Sequence, residues 1–367
     1  KYLLKLIKFF FKEILLKIGI IIPTYNSENT IKQTLNSVKK LKKKKFIDIY
    51  CVVIDDKSKD KTNLIIQEYI NNAVVDVFIK NKKNLGVSET RNIGIRECKD
   101  TDYVTFLDSD DEIIHSAFKE LNNIIRSDLV FFNFYSRKKR KSKKIIPNIL
   151  YNKSNGYVSD RDILNYLKKY LTQPNKESML ISSWAKLFKT SIIIKEKIFF
   201  NKQMRLFEDV EFNFKFLQYA NKLRYINKEL YVYNIPGGEK VLNTSTMGNN
   251  ANIPDMFSYI KALRQLKIYV KKDQENKYNN LINHCTAVYT VISLIRVSIR
   301  INSIKSFLIV LKEIKIIFKK NNIVRSFKFY DQTKTQGNKL IPFFIRKKLF
   351  FFALLFSFVA GRKRYLK

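Results

Sequence analysis

Continuous apolar runs alternate with helix-period segments through the N-terminal third of this chain, and that alternation leaves few folds open. Ile18-Gly19-Ile20-Ile21-Ile22 contains no polar side chain, as expected of a central strand buried on both faces. Residues 47–54, 74–79 and 103–107 are further β-rich runs, and residues 129–135 read as a fifth strand. Between them, residues 28–40 set Ile31, Leu35 and Val38 on one helical face. Residues 62–71 do the same with Leu64, Ile65 and Tyr69, and residues 87–98 and 116–127 are also helical. Alternation of this kind predicts an α/β fold with a parallel sheet and right-handed crossovers. Ligands of such sheets bind beyond the carboxyl ends of the strands.

Those ends carry the chemistry. The first strand stops at Pro23-Thr24-Tyr25-Asn26, the second at Asp55-Asp56, and the fourth at Asp108-Ser109-Asp110-Asp111. In a chain with 70 Lys+Arg and 32 Asp+Glu, a cluster of acids runs against the composition. Ionised carboxylates this close repel one another and are commonly held by a cation. Mg²⁺ takes few protein carboxylates and leaves room for phosphate oxygens. The alternative is a solvated turn whose Asp caps the next helix. Acids on a neighbouring strand end favour the metal–diphosphate reading.

Further along, residues 137–144 form a basic run expected to be a solvated loop. A helix over residues 160–172 is capped by Ser159 or Asp160, and residues 183–188 carry the single Trp, Trp184. Phe207-Glu208-Asp209 opens a helix to about residue 221, and these acids suit either a capped first turn or a general base in a cleft. Short strands are expected at 223–226 and 230–233, and from about residue 252 the chain is helical with Lys-rich faces.

Composition narrows the class. A hydrophobic content of 46% and an aromatic content of 14% indicate a folded protein. The formal charge of +38 favours anionic partners, although Lys, Asn, Ile, Phe and Tyr are over-used together, as in an AT-biased genome. No single-strand or RNA-binding signature is present, so nucleic acid is not the expected partner. Cys51, Cys98 and Cys285 are far apart, which fits a reducing compartment, and the isolated His115 and His284 speak against zinc. No apolar run reaches the ~18–20 residues of a spanning helix. The longest, 349–360, is broken only by Ser357 and flanked by Arg346-Lys347-Lys348 and Arg362-Lys363-Arg364.

In order, Ile-Ile-Pro-Thr-Tyr-Asn, Val-Ile-Asp-Asp-Lys-Ser-Lys-Asp-Lys-Thr, Asn-Leu-Gly-Val-Ser-Glu-Thr-Arg-Asn and Phe-Leu-Asp-Ser-Asp-Asp resemble the motifs of glycosyltransferase family 2. These are inverting enzymes with the GT-A fold, a Rossmann-like nucleotide-binding sheet with helices on both faces. The resemblance covers residues 17–245, with a nucleotide-sugar half (17–135) and an acceptor half (136–245). It leaves a basic amphipathic helix at 1–16 and a mainly helical extension at 246–367, whose aromatic, Lys/Arg-flanked end is expected either to associate with the membrane or to be an ordinary buried helix. It implies that Pro23, Thr24 and Tyr25 line the nucleotide pocket. Asp56 would accept the N3–H of uracil, and Arg91 would lie near the base and diphosphate. Asp108 and Asp110 resemble the Asp-x-Asp motif, with Asp110 toward a Mg²⁺ or Mn²⁺ ion, Asp108 toward the ribose or the ion's water shell, and Asp111 supporting the turn or facing the sugar. Trp184 and Lys186 resemble the Trp-x-Lys segment of the acceptor side. Glu208 and Asp209 resemble the Glu-Asp pair, with Asp209 as base. After Tyr233 the sequence departs from many relatives: Asn234-Ile235-Pro236-Gly237-Gly238 stands where an Arg and a Gly-Ser-Ile stretch are usual, and Lys240 is the nearest basic candidate.

The expected function is transfer of a sugar from a nucleotide-sugar, in the first place a UDP-sugar, to a growing capsule- or lipopolysaccharide-type surface glycan on a lipid-linked acceptor. The expected location is the cytoplasmic face of the membrane. Two rivals stay open: transfer to a polyprenyl phosphate, and a non-catalytic basic protein that binds membrane or nucleic acid. Lys1, Lys5, Lys8 and Lys12 form one stripe on a helix, suited either to an anionic membrane interface or to a solvated edge.

Overall fold

The computed structural model describes residues 16–43, 47–124, 126–138, 141–145, 156–174, 180–235, 252–270, 275–333 and 339–365. The basic helix expected at 1–16 falls outside them but for Leu16, as do Pro236, Gly237, Gly238 and Lys240.

The sheet is built around β1 (Lys17–Thr24), which lies between β2 (Asp48–Asp55) and β4 (Tyr103–Phe106), with β3 (Val77–Lys80) beyond β2. All these neighbours are parallel, as the alternation predicts. Helices α1 (Ile31–Lys42), α2 (Thr62–Asn71) and α3 (Val87–Glu97) make the crossovers. The acidic turn leads into the two-residue β5 (Glu112–Ile113) and then a 3₁₀ segment, His115–Asn123, in place of the expected helix.

Beyond β4 the order departs from simple alternation. β6 (Leu129–Lys138) is parallel to the long β10 (Leu223–Ile235), and the short β9 (Lys186–Lys189) inserts between β4 and β6, antiparallel to both. The expected strands at 223–226 and 230–233 are one strand, β10, with register breaks between Ile226, Glu229 and Tyr231. The described residues of the basic run expected as a loop at 137–144 are strand: β7 (Lys141–Ile145) pairs antiparallel with the end of β6, while β8 (Gly156–Val158) pairs with β10. In chain order the next helices are α4 (Asp160–Thr172), α5 (Thr190–Lys195) and α6 (Glu208–Leu217). Ser159 caps α4 in a reciprocal pair with Asp162, which satisfies two N-terminal backbone N–H groups.

β1 separates two cores. Ile18, Ile20 and Ile22 face α1 and α2, while Ile21 faces α3 and the C-terminal helices. Each fully buried side chain of this size contributes about 1.5–3 kcal/mol. Two glycines allow α3 to lie hard against the sheet. A Cβ on Gly94 would meet Ile21 Cγ2 at 2.3 Å, and one on Gly19 would meet Cys98 Sγ at 2.6 Å. The approach matters for function because Arg91 lies one turn before Gly94.

The C-terminal helices are α7 (Ile253–Met256), α8 (Tyr259–Tyr269), α9 (Glu275–Ser298), α10 (Ile304–Lys320), α11 (Ile323–Ser326), α12 (Leu340–Arg346) and α13 (Phe350–Tyr365). Their core is continuous with the α3 side of the sheet. One stretch of α9, Tyr278–Ser298, is long and apolar enough to cross a membrane, contrary to the expectation that none is, but 61% of its 18-residue apolar window is buried within the protein. A helix apolar all round and covered by neighbours is a core helix.

Candidate active site

Three strand ends converge, as the motifs predict. At the end of β1, Thr24 C=O accepts the Asp56 N–H (2.8 Å) and Asn26 N–H donates to Ser58 Oγ (2.8 Å). Pro23 and Thr24 are buried, and Tyr25 projects into solvent. Ser27 Oγ meets Ser109 Oγ at 2.8 Å, tying the first strand end to the acidic turn.

Asp56 is buried and largely engaged by its own scaffold. Its Oδ1 accepts from Asn81 Nδ2 (2.9 Å) and Leu85 N–H (2.7 Å), and its Oδ2 accepts from Gly86 N–H (2.8 Å). A carboxylate has about four lone-pair directions. Three go to shaping the 81–86 loop.

The acidic turn divides its carboxylates. Asp111 is buried; its Oδ2 accepts from Tyr231 O–H (2.6 Å) and its Oδ1 from Asn234 N–H (2.7 Å). Burial first, then the charges of Asp108 and Asp110, push its carboxyl up to about 8. Asp111 therefore supports the turn, helped by Thr34 Oγ1, which donates to Ser109 C=O and Asp111 C=O. Asp110 stands at the exposed rim, its backbone C=O accepting from Asn234 Nδ2 (2.7 Å). Loss of water around the carboxyl, then the Asp108 charge, raise it to about 6.

Arg91 joins this turn to the fourth segment. Its Nη2 donates to Asp108 Oδ1 (2.9 Å) and its Nη1 to Asp209 Oδ1 (2.6 Å), with Glu208 Oε1 at 3.4 Å. The guanidinium is buried, with Phe200 5.3 Å from it. Burial disfavours its charge, but Asp209, Asp108 and Glu208 outweigh that and hold the proton firmly. Burial raises both carboxyls of the Glu208–Asp209 pair; Arg91 opposes the shift in each. Arg91 thus sits between the acidic turn and the Glu-Asp pair.

Lys186 is buried and turns back on its own loop, donating from Nζ to Ser182 C=O (2.7 Å) and Trp184 C=O (3.1 Å). Burial lowers its ammonium to about 7, against the pull of Asp209. Lys186 shapes the loop that presents Trp184. That ring stacks on Tyr231 (4.6 Å) and Tyr233 (5.6 Å).

Asn26 (φ 48°), Lys57 (69°), Ala185 (56°) and Phe207 (64°) all adopt the left-handed region beside these segments. Such conformations are costly for non-glycine residues and persist where surroundings enforce them. Tyr231 has no role in the sequence reading, and Asn234 enters it only as the start of the segment that departs from many relatives. Alternation along β10 puts Tyr231 and Tyr233 on one face, but nothing in the sequence shows which strand end that face meets.

A model of glycosyl transferase family 2 matches residues 19–192. The poly(ribitol-phosphate) β-N-acetylglucosaminyltransferase TarP of Staphylococcus aureus is 30% identical over 272 residues, 71% of this chain and 76% of TarP. The chain belongs to glycosyltransferase family 2. Glycosyltransferase GlyA of Streptococcus pneumoniae is 31% identical over 229 residues, 60% of this chain but 31% of GlyA, so the chain spans about a third of that relative. A crystal structure of S. aureus TarS 1-349 in complex with UDP-GlcNAc superposes with a TM-score of 0.64 at 20% identity, covering 95% of this chain and 91% of that one. The shared fold is the GT-A fold with its helical C-terminal part.

Proposed function

We propose that this family 2 member is an inverting transferase that moves a sugar from a UDP-sugar to a hydroxyl of a cell-surface glycan, with Asp209 as general base. The observation that carries the reading is the Arg91 bridge, which brings Asp209 within one guanidinium's span of Asp108. The proposed base and the proposed diphosphate-side carboxylate thereby border one cleft, in which the sugar can lie with its two faces toward them. The UDP-GlcNAc of the TarS structure and the N-acetylglucosaminyl transfer in TarP's name support an N-acetylhexosamine donor and a phosphate-rich polymer acceptor.

In this reading Pro23, Thr24 and Tyr25 border the nucleotide, and Asp56 offers its remaining lone pair to the uracil N3–H. Arg91 holds Asp209 in place, and burial strengthens that carboxylate as a proton acceptor. The acceptor hydroxyl gives its proton to Asp209 as its oxygen attacks C1, and the nucleoside diphosphate leaves from the opposite face. Trp184 and the tyrosines stacked on it offer a flat aromatic wall to a sugar ring.

Mg²⁺ or Mn²⁺ fits the donor set. Among the described residues no three His, Cys, Asp or Glu side chains are grouped to hold a metal ion, so phosphate oxygens must complete any coordination around Asp110 and Asp108. Loss of water and the Asp108 charge disfavour the ionised form of Asp110, and a cation bound there would relieve both. Such an ion supplies Lewis-acid stabilisation to the leaving diphosphate. The enzyme would act at the cytoplasmic face of the membrane, where a lipid-linked acceptor and nucleotide-sugars meet.

The test is a transfer assay with UDP-GlcNAc and other UDP-sugars in Mn²⁺ or Mg²⁺. Asp209→Asn should lower turnover about 10²–10⁴-fold, and Asp110→Ala should abolish the metal response. Activity within a few-fold of wild type in both variants would remove the site.

A further inference from the structure

We propose that a band of phenylalanines across α10, α12 and α13 is a docking surface for an anionic lipid bilayer. The rings touch in sequence: Phe307 to Phe351 (5.2 Å), Phe351 to Phe352 (5.5 Å), Phe352 to Phe344 (5.5 Å) and Phe344 to Phe343 (5.5 Å). This chain of contacts joins three helices into one face. Phe343 is 51%, Phe351 47% and Phe352 44% exposed. Soluble surfaces rarely leave contiguous aromatic area open without a partner.

α10 extends the same face. Its inner side, Val310, Leu311, Ile314 and Phe318, already supplies what the core needs. Ile304 (82% exposed) and Leu308 (55%) then form a second apolar side, and Phe307 connects it to α13. A helix that packs on one side and remains apolar on the other has a second apolar environment to meet.

Charge selects the occupant. No Asp or Glu follows Asp331 in the sequence, and Glu313 is the single acid of α10. Lys305 and Lys312 on α10, Lys363 on α13, and Lys347 and Lys348 between α12 and α13 are exposed, so the same three helices carry both the rings and the charge. An anionic bilayer satisfies both halves at once: acyl chains take the rings while headgroup phosphates take the lysines, whose stems can reach from the apolar boundary to water. A second copy fits poorly, because each chain carries a formal charge of +38 and apposing two such faces sets like against like. The buried core helix α9 argues for lying on the bilayer by this face, since that long apolar stretch is committed to packing.

The surface is separate from the donor site and its test uses no transferase activity, so the two readings can fail independently. The full chain is mixed with phosphatidylcholine vesicles or with vesicles containing phosphatidylglycerol, and flotation is measured. Binding is expected to the anionic vesicles and to be at least about tenfold weaker to the neutral ones. Phe343→Ser, Phe351→Ser and Phe352→Ser combined should lower affinity for anionic vesicles at least about tenfold with the thermal midpoint retained. Should that variant fail to fold, Phe352→Trp gives a local readout, taken as the difference from the Trp184 emission of the wild type. The added indole should shift to the blue on anionic vesicles and be quenched by brominated acyl chains. Equal binding to neutral vesicles, an undiminished triple variant, or an added indole emission unmoved by lipid would overturn the proposal. So would a change in sedimenting mass of the triple variant without loss of vesicle binding, which would make the face a self-association surface.

Discussion

In the proposed site a proton and a divalent cation would compete for the Asp110 carboxylate. Loss of water around the carboxyl and the Asp108 charge raise it to about 6, so the acid form prevails below that value and the carboxylate above it. Mn²⁺ affinity, measured with UDP present, should therefore fall about tenfold per pH unit below 6 and level off above 7. An affinity flat from pH 5 to 7 would take Asp110 out of the cation site. Asp56 makes a different prediction. Its carboxylate holds the Asn81 amide and the Leu85 and Gly86 N–H groups. Asp56→Ala leaves those donors without their acceptor and should cost about 2–4 kcal/mol in urea unfolding. Asp56→Asn, which retains one oxygen, should cost less. A stable Asp56→Ala that merely loses nucleotide binding would make Asp56 a ligand contact first and a scaffold second. Residue identity made the acidic positions readable in the sequence, because Asp108, Asp110, Glu208 and Asp209 contradict a basic composition. It could not reveal that Lys186 folds back onto carbonyls or that Arg91 bridges two segments, since both depend on how distant loops meet.

Phe207 shows what the helical C-terminal part does for the site. It precedes α6 in a left-handed conformation, φ 64°, which costs about 1–2 kcal/mol for a residue with a Cβ. Its ring is held edge-on by Tyr289 (5.1 Å) from α9 and by Tyr259 (5.8 Å) from α8. Those tyrosines are themselves fixed, Tyr289 by a hydroxyl contact to Tyr170 (3.1 Å) and Tyr259 by one to Thr290 (2.7 Å). The helices thus aim Glu208 and Asp209 at Arg91. Phe207→Leu keeps apolar bulk but removes the ring contacts, and should cost about 1–2 kcal/mol of stability. Its turnover should fall more than its donor KM rises, because the proposed donor contacts lie on other elements. A pure KM effect in steady-state kinetics would contradict this. The alternating elements were legible: the pattern predicts 62–71 and 160–172, where helices α2 and α4 stand. The strand β9 was not, because four residues with buried lysine and phenylalanine carry no period. Nor could local pattern show that β10 is one strand, since Asn227 and Lys228 at its bulge read as a turn.

Over the whole molecule, charge and acid placement act in opposition. The formal charge of +38 works against compaction through mutual repulsion of the lysines. Few of those lysines find acids: of the described ion pairs, three are made by Arg91 alone, within the cleft. Six acids, Asp56, Asp108, Asp110, Asp111, Glu208 and Asp209, gather at the cleft, and the rest of the 32 are spread too thinly to neutralise 70 Lys+Arg. Added salt should therefore stabilise this fold, in contrast to a protein held by surface ion pairs. Raising NaCl from about 0.05 M to about 0.5 M shortens the Debye length from roughly 14 Å to roughly 4 Å, and the thermal midpoint should rise by a few degrees. The same increase should weaken association with anionic vesicles, because there the lysines are attracted and not repelled. Opposite signs from one screening change constitute the test. A midpoint that falls with salt would mean that surface pairing outweighs repulsion, and vesicle binding that persists at the higher salt would assign the attachment to the phenylalanine band with little help from the lysines around it.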